Sequence, residues 1–70
     1  MTEDDLNMSM RKFLKRVGVT SQQAIEEAMR AARDTGELPA GAVKARVVLT
    51  IEEIGLTHTV EGDISTGGLA

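Results

Sequence analysis

The spacing of apolar residues changes once along the chain, at Leu38-Pro39-Ala40-Gly41, and this change constrains the fold more than any other feature. Before this segment, apolar residues recur every three or four positions, which is typical of amphipathic helices. After it, they alternate with polar residues, which is typical of half-buried strands. The sequence therefore predicts an α+β domain in which helices pack on an antiparallel β-hairpin.

The first part of the helical half predicts a helix over residues 2–17. Thr2 and Asp5 have the spacing of a capping box, with Asp in the position that Glu or Gln usually occupies. The apolar residues of this segment share one side of the helix, and they are Leu6, Met10, Phe13, Leu14 and Val17.

A second helix is predicted over residues 20–35, after a break at Gly18 and Val19. Glycine commonly ends helices, and Thr20 with Gln23 resembles a second capping box. The two helices are expected to form an antiparallel pair. In that pair Phe13, the chain's one aromatic residue, anchors the core against the small side chains of the second helix, which are Ala24, Ala28 and Ala32.

The alternating half predicts two strands, 43–51 and 56–64, joined by a turn at Glu52 to Gly55. An isolated hairpin is only marginally stable in water, so its apolar face is expected to lie on the helices. The element order is therefore ααββ. Residues 65–70 are expected to form a flexible tail.

The composition fits one small domain over residues 1–70. Apolar residues make up 41% of the chain, but eight of them are alanines, which leaves few large side chains for a core. No cysteine is present, so no disulfide or thiolate metal site is expected. The first residues are acidic, and no apolar run approaches the ~20 residues of a membrane span. We therefore expect a soluble, cytoplasmic protein without a membrane partner.

His58 is the chain's one histidine and the first candidate for acid-base or metal chemistry. It alternates in phase with Leu56 and Val60, whereas Glu61 and Asp63 fall on the opposite face of the predicted strand. The favoured interpretation is a partly buried histidine at the edge of the core. The sequence therefore predicts no catalytic residue, no metal site and no cofactor, and the chain is not expected to be an enzyme.

Four cations lie within six residues on the side of the first predicted helix opposite its apolar stripe. We call them the basic face, and they are Arg11, Lys12, Lys15 and Arg16. One hypothesis is a binding patch for an anion, a nucleic acid or an acidic partner. The favoured interpretation is a solvated face, because the formal net charge of the chain is −3 and no Tyr or Trp is available to stack on bases.

The segment from Asn7 to Gln22, NMSMRKFLKRVGVTSQ, resembles the N-terminal signature of a small uncharacterised family of proteobacterial proteins. The similarity extends to Leu49-Thr50-Ile51 and to Gly55-Leu56-Thr57-His58. The resemblance implies a bacterial origin, the size of a single domain and a soluble fold. It implies no activity and no site residues.

The sequence alone does not specify an activity. The favoured hypothesis is a small non-catalytic module that interacts with another protein or regulates it. The alternative is anion or nucleic-acid binding through the basic face, although nucleic acid is not an expected partner. The chain is expected to be a monomer, or a homodimer formed through the free edge of the hairpin.

Overall fold

The structure is a computed structural model that describes residues 2–68. In this part of the chain a helix α1 (Glu3–Asp34) is followed by strand β1 (Ala42–Ile51), a 3-10 turn (Glu52–Ile54) and strand β2 (Leu56–Ser65). The two strands pair antiparallel. The predicted α+β class is confirmed.

Both ends of α1 have well-defined caps. The Asp5 backbone N–H donates to Thr2 Oγ1 at 3.1 Å, and the Thr2 backbone N–H donates to Asp5 Oδ2 at 3.5 Å, so the capping box forms as predicted. At the other end, the Glu37 N–H reaches the carbonyl oxygen of Ala32 at 2.7 Å, and Gly36 has a φ of 76°. This Schellman motif ends the helix.

The prediction of two helices is wrong, because α1 continues through Gly18 and Val19 without a break. Gly18 does not have a positive φ, and the hydroxyl of Thr20 donates to the carbonyl oxygen of Arg16 at 2.8 Å instead of capping a new helix. A glycine inside a helix costs about 1 kcal/mol. A break would expose unpaired backbone groups on both sides, which costs more. The continuous helix is therefore the better solution.

The hairpin separates an apolar face from a polar one. Val43 lies opposite Ile64 and Val47 lies opposite Val60, so apolar side chains line the face toward α1. On the outer face Lys44 Nζ lies 3.5 Å from Glu61 Oε2. The strands differ from the predicted bounds by one residue at each outer end, and the turn lies where the sequence places it.

The end of the hairpin where β1 begins and β2 ends is held together by backbone hydrogen bonds. This corrects the prediction of a tail that begins at residue 65. Ser65 still pairs with Ala42 in the sheet. The next residue, Thr66, is buried, and its backbone N–H donates to the carbonyl oxygen of Gly41 at 2.9 Å. The last two positions of the predicted tail, Leu69 and Ala70, lie outside the described residues.

The hairpin lies along α1 but does not bury it. No hydrophobic residue among positions 2–68 is buried, and Phe13 keeps 53% of its surface exposed. Its predicted packing on a second helix is therefore wrong, since no second helix exists in this part of the chain. Ala28 and Ala32 lie instead beside Leu38 and Pro39, near the base of the hairpin.

Candidate interaction surface

An apolar groove runs between the N-terminal half of α1 and the end of the hairpin that carries the turn. We call it the tip groove, and its volume is about 470 Å³. It is lined by Met10, Phe13, Leu14 and Val17 of the helix and by Val47, Leu49, Ile51, Leu56, His58 and Val60 of the hairpin. Phe13, Leu14 and Val60 each remain more than half exposed. The fold thus presents to solvent the side chains that usually form a core.

His58 is the one titratable side chain that lines the tip groove. It lies opposite Leu49 in the sheet and on the same face as Leu56 and Val60, as its position in the alternation predicts. Its predicted partial burial is wrong, because the residue is exposed. No part of the described chain packs over His58 closely enough to bury it.

A second groove begins at the midpoint of α1, one residue beyond the tip groove. We call it the mid-helix groove; its volume is about 460 Å³, and it is lined by Gly18, Ser21, Gln22, Ile25, Glu26, Met29, Arg30 and Ile64. A Cβ atom built on Gly18 would meet nothing within 4 Å beyond its own part of the helix. The backbone of α1 is therefore open to close approach at this point.

The structure places the basic face on one continuous helix. Arg11, Lys12, Lys15 and Arg16 are all exposed, and none forms an ion pair within residues 2–68. At about 100° per residue, Arg16 lies about 140° around the helix from Arg11. The four cations thus cover a broad sector instead of converging on one point.

The described chain was also searched for a metal site and for a helix that could span a membrane. Residues 2–68 contain no cluster of three or more His, Asp or Glu side chains that is arranged to hold a metal ion. The helix in the same range lacks the apolar length that crossing a bilayer requires.

Sequence reasoning identified the basic face but missed both grooves. The sequence predicts Phe13 as a core residue, because it lies in a stripe with the spacing of a core-facing helix side. The same spacing describes a stripe that another chain covers. The scarcity of large apolar residues was the one available signal, because a small chain with few of them has difficulty in closing a core alone.

The chain was compared with protein families, curated proteins and solved structures. A family model described as a family of unknown function, DUF6494, matches residues 1–67. No curated protein matches the chain. No solved structure matches it either. The family model covers all but the last three residues, so this helix-hairpin chain belongs to DUF6494.

Proposed function

We propose that this chain is a small non-catalytic module that binds protein partners through the apolar surface of α1 and the hairpin. The observation that carries the proposal is the tip groove, which is lined by ten residues of which none is buried. Large exposed apolar patches on small proteins usually mark interaction sites.

The lining of the tip groove supports binding instead of catalysis. His58 is accompanied there by Leu49, Leu56 and Val60, and no carboxylate, amine or hydroxyl lines the groove beside it. General acid-base or nucleophilic catalysis needs a second polar group that orients or activates the first. The groove offers an apolar surface whose side-chain polar atoms are the two ring nitrogens of His58.

The shape of the surface suits a protein segment better than a small ligand. Small-molecule sites enclose most of their ligand, whereas the residues of the tip groove lie on an elongated molecule that measures 50 × 20 × 16 Å. An amphipathic helix or strand can cover such a surface along its length, with side chains that enter at regular intervals.

The alternative function, anion or nucleic-acid binding through the basic face, is supported by the four cations that carry no ion pair in the described chain. A net charge of −3 and the acidic first turn of the same helix count against it. We therefore place protein binding first and treat anion binding as a competing hypothesis.

Photo-crosslinking tests the proposal. Benzoylphenylalanine replaces Phe13, in the tip groove, or Lys12, which lies about 100° around α1 and outside the groove, in cells that express the chain. We expect position 13 to crosslink to protein and position 12 to give little product. Equal products from both positions, or none from position 13, would count against the proposal.

A further inference from the structure

We infer that the tip groove is closed by the tip groove of a second copy of this chain, with the two copies antiparallel around a two-fold axis. The inference rests on the proposed function, because it names the occupant of the same apolar surface. Three observations support it, and they are the uncovered lining of the groove, the position of the charges away from it and the area that the chain exposes.

The fold leaves the apolar side chains of the tip groove uncovered. Phe13 and Leu14 of α1 and Val60 of the hairpin each keep more than half of their surface exposed, and no hydrophobic residue in the described range is buried. A two-stranded hairpin is marginal alone, and helices depend mainly on tertiary packing of their apolar face. Both elements therefore need a cover at the groove that they do not supply to each other.

The charged side chains of the described chain lie away from this lining. No Asp, Glu, Lys or Arg among residues 2–68 lines the tip groove. At about 100° per residue, the basic face lies about 110° to 150° around α1 from the centre of the four helix residues that do. On the two strands the charged side chains occupy the outer face, as Lys44 and Glu61 do. The cover must therefore be an uncharged apolar surface, because an ion placed against the lining would lose its hydration without gaining a partner.

The tip groove of a second copy is such a surface. It is apolar, it matches the length of the groove that it covers, and it gains the same cover in return. The net charge of −3 does not place like charges in the contact, because the charged groups of both copies stay outside it. Pairing through the free hairpin edge, the other route to a dimer, would extend the sheet but leave Phe13 and Leu14 uncovered.

The area that must be covered also fits one second copy. The chain exposes 6023 Å² of surface, whereas a compact monomer of 7.5 kDa exposes roughly 4,200 Å². The excess is roughly 1,800 Å² per chain, or about 3,600 Å² for two chains. Obligate homodimers bury about 2,000 to 5,000 Å² in total, so the excess lies within that range.

Acidic groups at one end of the tip groove set the direction of the two copies. Glu52 and Glu53 directly follow Ile51, which lines the groove at the turn. The base of the hairpin lies beside the C-terminal half of α1, so the turn points toward the acidic first turn of the helix. Parallel copies would bring these carboxylates together, whereas antiparallel copies hold them at opposite ends of the interface.

Sedimentation equilibrium provides the test, with Val60→Glu as the variant and Val48→Glu as its matched control. The two valines are 52% and 55% exposed, but Val60 lines the tip groove and Val48 lies on the outer face of the hairpin. We expect the wild type and Val48→Glu to have twice the chain mass of 7.5 kDa, with dissociation constants within about twofold of each other. The dissociation constant of Val60→Glu should rise roughly tenfold or more, because dimerisation would bury its carboxylate without a partner.

Val60→Thr separates a loss of association from a loss of fold. Threonine keeps the branched shape and the strand preference of valine and adds only a hydroxyl to the groove. We expect a smaller rise in the dissociation constant than for Val60→Glu, and no rise for Val48→Thr. Circular dichroism at high protein concentration verifies that each variant folds, and the threonine pair decides the question if Val60→Glu does not.

A spin label on Glu53→Cys measures the direction, since the chain has no other cysteine. Glu53 lies four residues beyond Leu49, which is at the middle of the hairpin part of the groove. Pulsed electron resonance between the two copies of an antiparallel dimer should therefore give a distance of about 25 Å. A distance below about 20 Å would overturn the antiparallel arrangement.

A wild type that is folded and monomeric, or equal effects of the Val60 and Val48 variants, would overturn the second-copy inference. The proposed function fails separately. If position 13 crosslinks to a different protein while the chain is monomeric, the interaction module stands and its occupant is not a second copy. If neither self-association nor a position 13 crosslink is found, both are wrong.

Discussion

Thr66 and Gly41 close the hairpin at its open end, where the Thr66 backbone N–H donates to the Gly41 carbonyl oxygen at 2.9 Å. Thr66 is only 4% exposed, and its buried hydroxyl has no hydrogen-bond partner in the described chain. The backbone bond, and not the hydroxyl, therefore holds the two chain ends of the hairpin together.

This arrangement separates the effects of two substitutions. Thr66→Pro removes the N–H and should lower the free energy of unfolding by about 1 kcal/mol. Thr66→Val keeps the N–H and removes only the unpaired hydroxyl, so it should be neutral or stabilising. Chemical denaturation at one protein concentration measures both changes. If Thr66→Val destabilised as much as Thr66→Pro, the hydroxyl would have a role that this bonding pattern does not give it.

Gly18→Gln should raise the helix content of the chain. Glutamine favours helix over glycine by roughly 0.5 to 1 kcal/mol, so circular dichroism at 222 nm should show equal or greater helicity. The new side chain enters open space, because a Cβ atom at Gly18 meets nothing within 4 Å beyond its own part of the helix, so no clash opposes this gain. Val19→Gln is the control, because it replaces a residue that already has a side chain and should raise helicity less. A helicity of Gly18→Gln below that of the wild type would contradict this prediction.

Phe13→Ala should weaken association more than it weakens the chain itself. A fully buried Phe→Ala change costs about 3 to 5 kcal/mol, but Phe13 is 53% exposed, so roughly half of that is expected within one chain. If the rest is lost from an interface, the thermal midpoint of the wild type should depend on protein concentration more steeply than that of the variant. Met8→Ala, at a residue 64% exposed, is the control. A midpoint independent of concentration in all three proteins contradicts this prediction.

His58→Leu should strengthen the interaction of the tip groove with its partner. The ring lies among Leu49, Leu56 and Val60, and covering it with an apolar surface would take its polar atoms out of water. Leucine has no such atoms. Thr57→Leu, on the opposite face of the same strand, adds a comparable apolar side chain outside the groove. The two variants are compared by their affinity for the partner or by their self-association. An equal effect of both variants would place His58 outside the interface.

The basic face should bind no polyanion near physiological salt. Replacing Lys12, Lys15 and Arg16 with Gln leaves Arg11 in place and should change the free energy of unfolding by less than about 1 kcal/mol per residue, because the charges are exposed. Fluorescence anisotropy with labelled duplex DNA and with polyphosphate measures binding over a salt series. Micromolar binding that disappears in the triple variant would favour the anion-binding hypothesis instead.

The local sequence determined much of the secondary structure. The Thr2 and Asp5 capping box starts α1, and the alternation from Val43 onward gives both strands and their two faces, because these features depend on neighbours a few residues apart. Gly55 ends the turn with a φ of 66°, a conformation that glycine adopts without strain. The basic face was located in the same way, from residues of one helix segment.

Only the tertiary structure decided whether α1 breaks at Gly18 and whether its apolar stripe becomes a core. Glycine often marks a helix end. Here the helix continues, because keeping Gly18 inside it costs about 1 kcal/mol, which is less than losing the backbone hydrogen bonds that a break would leave unpaired. The stripe through Phe13 and Leu14 has the same spacing whether this chain or another one covers it. Burial depends on how far the hairpin reaches over the helix, and that is a property of the assembled chain and not of any short segment.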